Sequence, residues 1–101
     1  MWVVLAAALL TPSGDGCKRN MEPVVAKVET AHAIALAVFA EQGIRPGERA
    51  LFGPYVISVV PDPDDRRYWI AGAFDEDAPM SGLIFLINRC DGAIRGMRWV
   101  H

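Results

Sequence analysis

Three apolar runs in the last third of the chain constrain the fold more than any other feature. They lie at residues 67–74, 81–88 and 91–100, are rich in branched and aromatic residues, and are separated by short polar connections. Such runs are typical of β-strands. Asp91-Gly92 opens the last run, and Asp-Gly between apolar segments is a strong hairpin signal because both turn residues tolerate a positive φ. The sequence therefore predicts consecutive strands, the last two joined by a tight turn.

One amphipathic helix precedes these strands. From Val24 or Val28 to Gln42, apolar residues recur at helical spacing, and Gly43 suits the left-handed residue that follows a helix. The predicted buried face contains Val24, Val28, Ala31, Ala35 and Phe39, with His32 and Leu36 at its margin. Residues 54–60 form a further predicted strand, closed by a proline-rich acidic loop. The predicted fold class is α+β, with one long amphipathic helix packed on a four-stranded, mostly antiparallel sheet.

The first 22 residues are predicted to be an apolar leader-like segment and a loop, followed by a single α+β domain at 23–101. The opening ten residues are apolar, whereas a stable membrane span needs about 20. Their length fits the core of a signal peptide, although the usual preceding basic residues are missing. A buried strand or helix is the alternative. We expect a periplasmic or cell-envelope location if this segment is a signal remnant, and a cytoplasmic one otherwise.

The two cysteines, Cys17 and Cys90, leave three alternatives open. They form one disulfide in an oxidising compartment, or Cys17 is the lipidated cysteine of a bacterial lipoprotein, or both are unrelated thiols. Separation along the chain says nothing about distance in space, so the sequence does not decide between them.

The polar residues favour binding over catalysis. A formal net charge of −2 with scattered basic residues gives no reason to expect nucleic-acid binding. His32 is predicted to be a structural histidine at the core margin, the alternative being a general base in a pocket between helix and sheet. No serine has a nucleophile-elbow context, and the Cys and His residues lack metal-ligand spacing. We predict that the protein is not an enzyme and has no metal or cofactor.

The third predicted strand is apolar on both of its faces. Leu83, Phe85 and Ile87 point one way, while Ile84 and Leu86 point the other. A strand of this kind is usually covered on both sides, and one helix covers only one side. The second face is therefore expected to meet the N-terminal segment, a second copy in a homodimer, or a partner.

The region from Glu29 to Val100 resembles a bacterial immunity-protein family whose fold is related to nuclear transport factor 2 and the cystatins. The resemblance rests on five short motifs, which are Glu29-Thr-Ala-x-x-Ile-Ala35, Pro54-Tyr55, Tyr68-Trp-Ile-x-Gly72, Ser81-Gly82 and Asp91-Gly-x-Ile94. It implies a cystatin-like fold and a protein that binds and neutralises a cognate toxin without turnover. The hairpin pattern also resembles small envelope domains similar to peptidase propeptides.

Two acidic loops are the predicted partner-binding sites under this resemblance. Negative loops raise the association rate with a basic partner. The candidate residues are Asp62, Asp64, Asp65, Arg66, Asp75, Glu76 and Asp77. The alternatives to an inhibitor are a periplasmic or cell-surface structural domain, and a small ligand-binding protein or enzyme with a cone-shaped pocket.

Overall fold

The computed structural model describes Cys17 and residues 22–101. Helix α1 (Val28–Glu41) is followed by the strands β1 (Tyr55–Pro61), β2 (Tyr68–Asp75), β3 (Ala78–Asn88) and β4 (Ile94–Val100). The strands lie in chain order and each pairs antiparallel with the next. This confirms the predicted α+β class, with one helix packed on a four-stranded antiparallel sheet. The predicted leader and most of the loop that follows it lie outside the described residues.

Helix α1 packs one face against the sheet, mainly over β1 and β2. Its fully buried residues are Ala31, Ala35 and Phe39, and Ile34 and Val38 pack partly buried beside them. These five positions follow the spacing of a single helical stripe. The alanines carry only a methyl group, which permits a close approach of the helix to the sheet.

Part of the predicted helix face is wrong. Val24 precedes the helix and Val28 is its first residue, and the side chains of both are exposed. The buried stripe begins one turn later, at Ala31. His32, predicted at the core margin, is also exposed, because the stripe runs through Ile34 and Val38 on the other side of Ala31 and Ala35.

The end of α1 follows the prediction for Gly43. This glycine has a φ of 77°, and its amide donates to the carbonyl oxygen of Ala40. The amide of buried Ile44 donates to the carbonyl oxygen of Phe39. These two bonds form a Schellman motif, which satisfies the last carbonyls of the helix and turns the chain back toward the sheet.

The core lies between α1 and the sheet. The rings of Phe39 and Phe85 pack with centroids 4.9 Å apart. Leu83, Phe85 and Ile87 are buried beneath the helix, while Ile84 and Leu86 lie half-buried on the opposite face of β3. The predicted alternation of this strand is confirmed. The core cluster between the helix and the sheet consists of apolar side chains.

The β3–β4 connection differs from the predicted tight turn. Of its residues, Gly92 has a positive φ of 78° and Asp91 does not. The Gly92 amide donates to the carbonyl oxygen of Asn88, and the Asn88 amide donates to that of Ala93, which encloses a four-residue loop. The wider loop has room for a tertiary contact, since the amides of Val24 and Val25 donate to the carbonyl oxygens of Cys90 and Arg89.

A disulfide between Cys17 and Cys90 fastens this loop to the chain that precedes the helix, with the two Cα atoms 5.5 Å apart. The structure therefore selects the disulfide among the three alternatives, and a bonded Cys17 sulfur is not free for lipidation. Trp69 on β2 also holds the segment before the helix, because its Nε1 donates to the carbonyl oxygen of Val25 at 2.9 Å. The Arg89 guanidinium stacks on the Trp69 ring, 3.9 Å from its centroid.

Candidate binding surface

The predicted acidic loops lie at opposite ends of the sheet. Residues 62–67 join β1 to β2, whereas Glu76 and Asp77 form the turn between β2 and β3. The eight residues of β2 separate the two loops by roughly 23 Å, at about 3.3 Å per residue. The seven predicted site residues therefore form two separate groups.

The first group, at residues 62–67, is largely satisfied by its own hydrogen bonds. Asp62 accepts a bond from the backbone amide of Asp64, and Asp65 accepts bonds from the amide, Nε and Nη2 of Arg67. The side-chain hydrogen bonds from Arg67 lower the pKa of the Asp65 carboxyl. Asp64 and Arg66 are exposed. Bonds between residues two positions apart are typical of a structured turn.

The second group is built around a buried carboxylate. Asp75 is 3% exposed, and its Oδ2 accepts a hydrogen bond from the Phe52 amide at 2.7 Å. Its Oδ1 accepts one from the Asp77 amide at 2.9 Å. Burial acts to raise the pKa of Asp75, but hydrogen bonds from the amides of Phe52, Asp77, Gly53 and Ala78 outweigh it and leave the pKa below its ordinary value.

These bonds hold a small hairpin that precedes β1. The Gly47 amide donates to the carbonyl oxygen of Tyr55, the Tyr55 amide donates to that of Glu48, and Ala50 and Gly53 close the end of the hairpin through a 2.7 Å bond. A Cβ at Gly53 would meet the exposed Asp77 carboxylate, which would have to move to make room for it. The loop between Ala50 and Gly53 is therefore fixed at both its base and its end.

Large apolar side chains project from this fixed loop. Leu51 is 77% exposed and Phe52 is 62% exposed, and Met80, at the same end of the sheet, is 78% exposed. We call these three residues the apolar tip. A depression of about 330 Å³ beside it is lined by Arg49, Phe52 and Asp77, together with Gly47, Gly53 and Pro54. Exposed apolar residues next to acidic Glu76 and Asp77 form a surface of mixed chemistry, which is typical of protein recognition.

The sheet face opposite α1 is a second apolar surface, which we call the open face. The strand registers place Val56, Ser58, Val60, Ile70, Phe74, Ile84, Leu86, Arg95 and Arg98 on it. A depression of about 270 Å³ lies between Ile70, Leu86 and Arg98. Among Cys17 and residues 22–101, no helix or strand packs across this face. The predicted homodimer through it stays a prediction.

The other residues considered for chemistry lie apart from one another. His32 sits in a shallow surface depression beside Val28 and Glu29. In the part of the chain that the structure describes, no three His, Cys, Asp or Glu residues are grouped so that they could hold a metal ion. Of the helices within that part, none combines the length and apolar character needed to cross a bilayer.

Comparison with protein-family models, with curated proteins and with solved structures finds no significant match. The resemblance to an immunity-protein family therefore stays a prediction.

Sequence reasoning missed the apolar tip. Its signal was present as Leu51-Phe52 between Gly47 and Gly53-Pro54, since two large apolar residues in a glycine-flanked loop are unusual. The sequence placed Asp75 among the partner-binding candidates but did not indicate that it is buried. An acidic turn suggests a solvated surface, and the sequence does not show that residue 75 reaches back to residue 52.

Replacing Asp75 by Asn should loosen the tip and lower the melting temperature at pH 7 by roughly 10 °C, because an amide replaces a charged acceptor of several backbone bonds. The depressed pKa fixes the sign of the pH dependence. Stability from the carboxylate is fully present above the unfolded-state pKa of about 3.9 and is lost as the pH falls through the lower folded-state pKa. Melting followed by circular dichroism from pH 7 to pH 2 measures both effects.

The difference between wild type and Asp75→Asn should therefore begin to shrink below about pH 4, and it should disappear once folded Asp75 is protonated and, like Asn, uncharged. Asp64→Asn is the matched control, because Asp64 is exposed, and it should melt like the wild type. An Asp75→Asn protein with unchanged melting at pH 7 would contradict the anchoring role of this carboxylate.

Proposed function

We propose that this chain is a non-catalytic inhibitor of the immunity-protein type, which neutralises a cognate toxin by inserting the apolar tip into a cleft of the toxin. The observation that carries the proposal is the buried Asp75 carboxylate, which fixes a loop displaying Leu51 and Phe52 to solvent. The proposed mechanism is steric occlusion, with no bond made or broken and no cofactor required.

Preorganisation is the physical reason to favour this surface. Ordering a loop on binding consumes part of the interaction free energy, and a loop already held in one conformation avoids that loss. A large aromatic side chain at the centre of an interface is a typical binding hot spot. Exposed Phe52 fits this role, because its own backbone amide is one of the groups that Asp75 holds.

Charge favours a basic cleft as the partner. Glu76 and Asp77 are exposed and lie in the turn directly after Asp75. Acidic residues around an apolar centre increase the association rate with a positively charged partner. Asp62, Asp64 and Asp65 lie at the far end of the sheet, so in this proposal they contribute only long-range attraction, and the positive charge of Arg66 offsets part of it.

The fold and the disulfide are compatible with this proposal. One helix followed by a four-stranded antiparallel sheet is the element order that a cystatin-like fold implies. Disulfides persist in oxidising compartments, so the Cys17–Cys90 bond favours the periplasm, the cell envelope or the exterior as the proposed location.

In-cell photo-crosslinking tests the proposal. The photoreactive residue p-benzoylphenylalanine is placed in turn at Phe52 in the apolar tip, Val60 on the open face and Ala33 on the outer surface of α1, and the full chain is expressed in the cells that make it. We expect one dominant adduct to a different protein from position 52 and none from position 33. Excess unlabelled protein should remove this adduct.

Two outcomes would overturn the proposal. One is the absence of any adduct from position 52 while the protein is folded and abundant. The other is an adduct from position 60 alone with the mass of two copies of the chain, which would favour the alternative, a structural envelope domain that pairs through its open face.

A further inference from the structure

Strand β4 forms an edge of the sheet that is exposed on both sides. Among the described residues it pairs only with β3, and all of its residues except Val100 are exposed. The opposite edge of the sheet, formed by β1, is protected from pairing with another strand. Prolines flank or end β1 at positions 54 and 61, and residues 47–49 pair with its beginning. Proline and a covering segment are common means of protecting a sheet edge, and β4 has neither within the described residues, although a bulge at Gly96, whose φ is 66°, interrupts its pairing with β3.

The two sides of β4 differ in chemistry. On the side that faces α1 it presents Ile94, Met97 and Trp99, of which Trp99 is 56% exposed. On the open face it presents Arg95 and Arg98, both exposed. Neither arginine forms an ion pair within the part of the chain that is described. Within the part of the chain that the structure describes, a single strand therefore combines an unpaired backbone edge, an apolar row and two arginines outside any ion pair.

We propose that β4 binds an extended protein segment by strand addition, and that this segment alternates acidic residues with apolar ones. Backbone hydrogen bonds to the free edge would supply affinity, and alternate side chains would supply specificity. The acidic side chains would lie opposite Arg95 and Arg98, and the apolar ones beside Met97 and Trp99. This site is separate from the apolar tip and does not depend on the proposed function.

Charge argues against a second copy of the chain as the occupant. Two β4 strands paired about a two-fold axis perpendicular to the sheet would place four arginines on the same face of the joined sheet. Like charges on neighbouring strands are destabilising, whereas opposite charges across a strand pair are favourable. Between residues 92 and 101 the chain has no acidic residue that could compensate.

Peptide titration followed by NMR tests this inference on the full, disulfide-bonded chain. The probe is the capped peptide Thr-Glu-Val-Glu-Val-Glu-Thr, and the matched control has Lys in place of every Glu. We expect the Glu peptide to shift the amide signals of β4 and to bind at least tenfold more tightly than the Lys peptide. Methylation of alternate peptide nitrogens on the pairing edge should abolish binding.

The double variant Arg95→Glu/Arg98→Glu should reverse the preference, so that the Lys peptide binds more tightly. Because both positions are exposed, the variant should retain the wild-type pattern of amide signals elsewhere in the sheet. Failure of both peptides to bind at millimolar concentration would overturn the inference. Shifts confined to another surface, or equal binding of the two peptides to wild type, would do the same.

Discussion

Removing the Cys17–Cys90 disulfide should lower the free energy of unfolding by about 2–4 kcal/mol. The two cysteines are 73 residues apart in sequence, so the bond closes a large loop in the unfolded chain. A loop-entropy model gives a stabilisation of about 4 kcal/mol for a loop of this size, because the bond reduces the number of conformations available to the unfolded chain. A loss of this size is a large part of the stability of a small domain.

Urea unfolding measures this loss. Wild type is compared with the double variant Cys17→Ser/Cys90→Ser, with mass spectrometry first confirming that the wild-type cysteines are bonded. Reduction of wild type with dithiothreitol should reproduce the double variant, and the reductant should leave the double variant unchanged. Equal stability of the oxidised protein and the double variant would contradict the structural role of this bond.

Replacing Leu51 and Phe52 together by Ser should weaken binding to the partner that crosslinks at position 52 by at least 100-fold. Loss of a central aromatic anchor commonly reduces binding free energy by about 2 kcal/mol or more, and a second anchor is removed with it. The stability of the free protein should change by less than about 0.5 kcal/mol, because both side chains project into solvent. Calorimetric titration and urea unfolding measure the two quantities separately.

The matched control for this variant is Val56→Ser/Val60→Ser. It also replaces two exposed apolar residues by Ser, but these lie on the open face of β1. We expect the control to bind the partner with wild-type affinity. If the control bound as poorly as Leu51→Ser/Phe52→Ser, the interface would include the open face and would not be confined to the apolar tip.

Local signals in the sequence predicted much of the fold. The spacing of Ala31, Ala35 and Phe39 identified the helix, and Gly43 identified its end, because helical periodicity and positive φ are properties of neighbouring residues. The alternation of Leu83, Phe85 and Ile87 likewise assigned β3 to the core. The errors arose where a distant contact decided the outcome. The Asp91-Gly92 signal predicted a tight turn, but the loop is wider where it pairs with Val24 and Val25.

The candidate site was harder to predict for the same reason. Leu51 and Phe52 have no periodic neighbours, and their fixed display depends on Asp75, which is 23 residues from Phe52 along the chain. The disulfide joins residues still further apart. Composition and spacing describe each of these residues separately. The proposed function depends instead on the contacts that form when the sheet brings distant residues together.

A growth assay tests the central claim most directly. The protein captured at position 52 is produced in cells that lack this chain, alone or together with wild type, Leu51→Ser/Phe52→Ser or Val56→Ser/Val60→Ser. We predict that the captured protein alone stops growth, that wild type and the open-face variant restore it, and that the tip variant does not. A harmless captured protein, or full protection by the tip variant, would contradict neutralisation through the apolar tip.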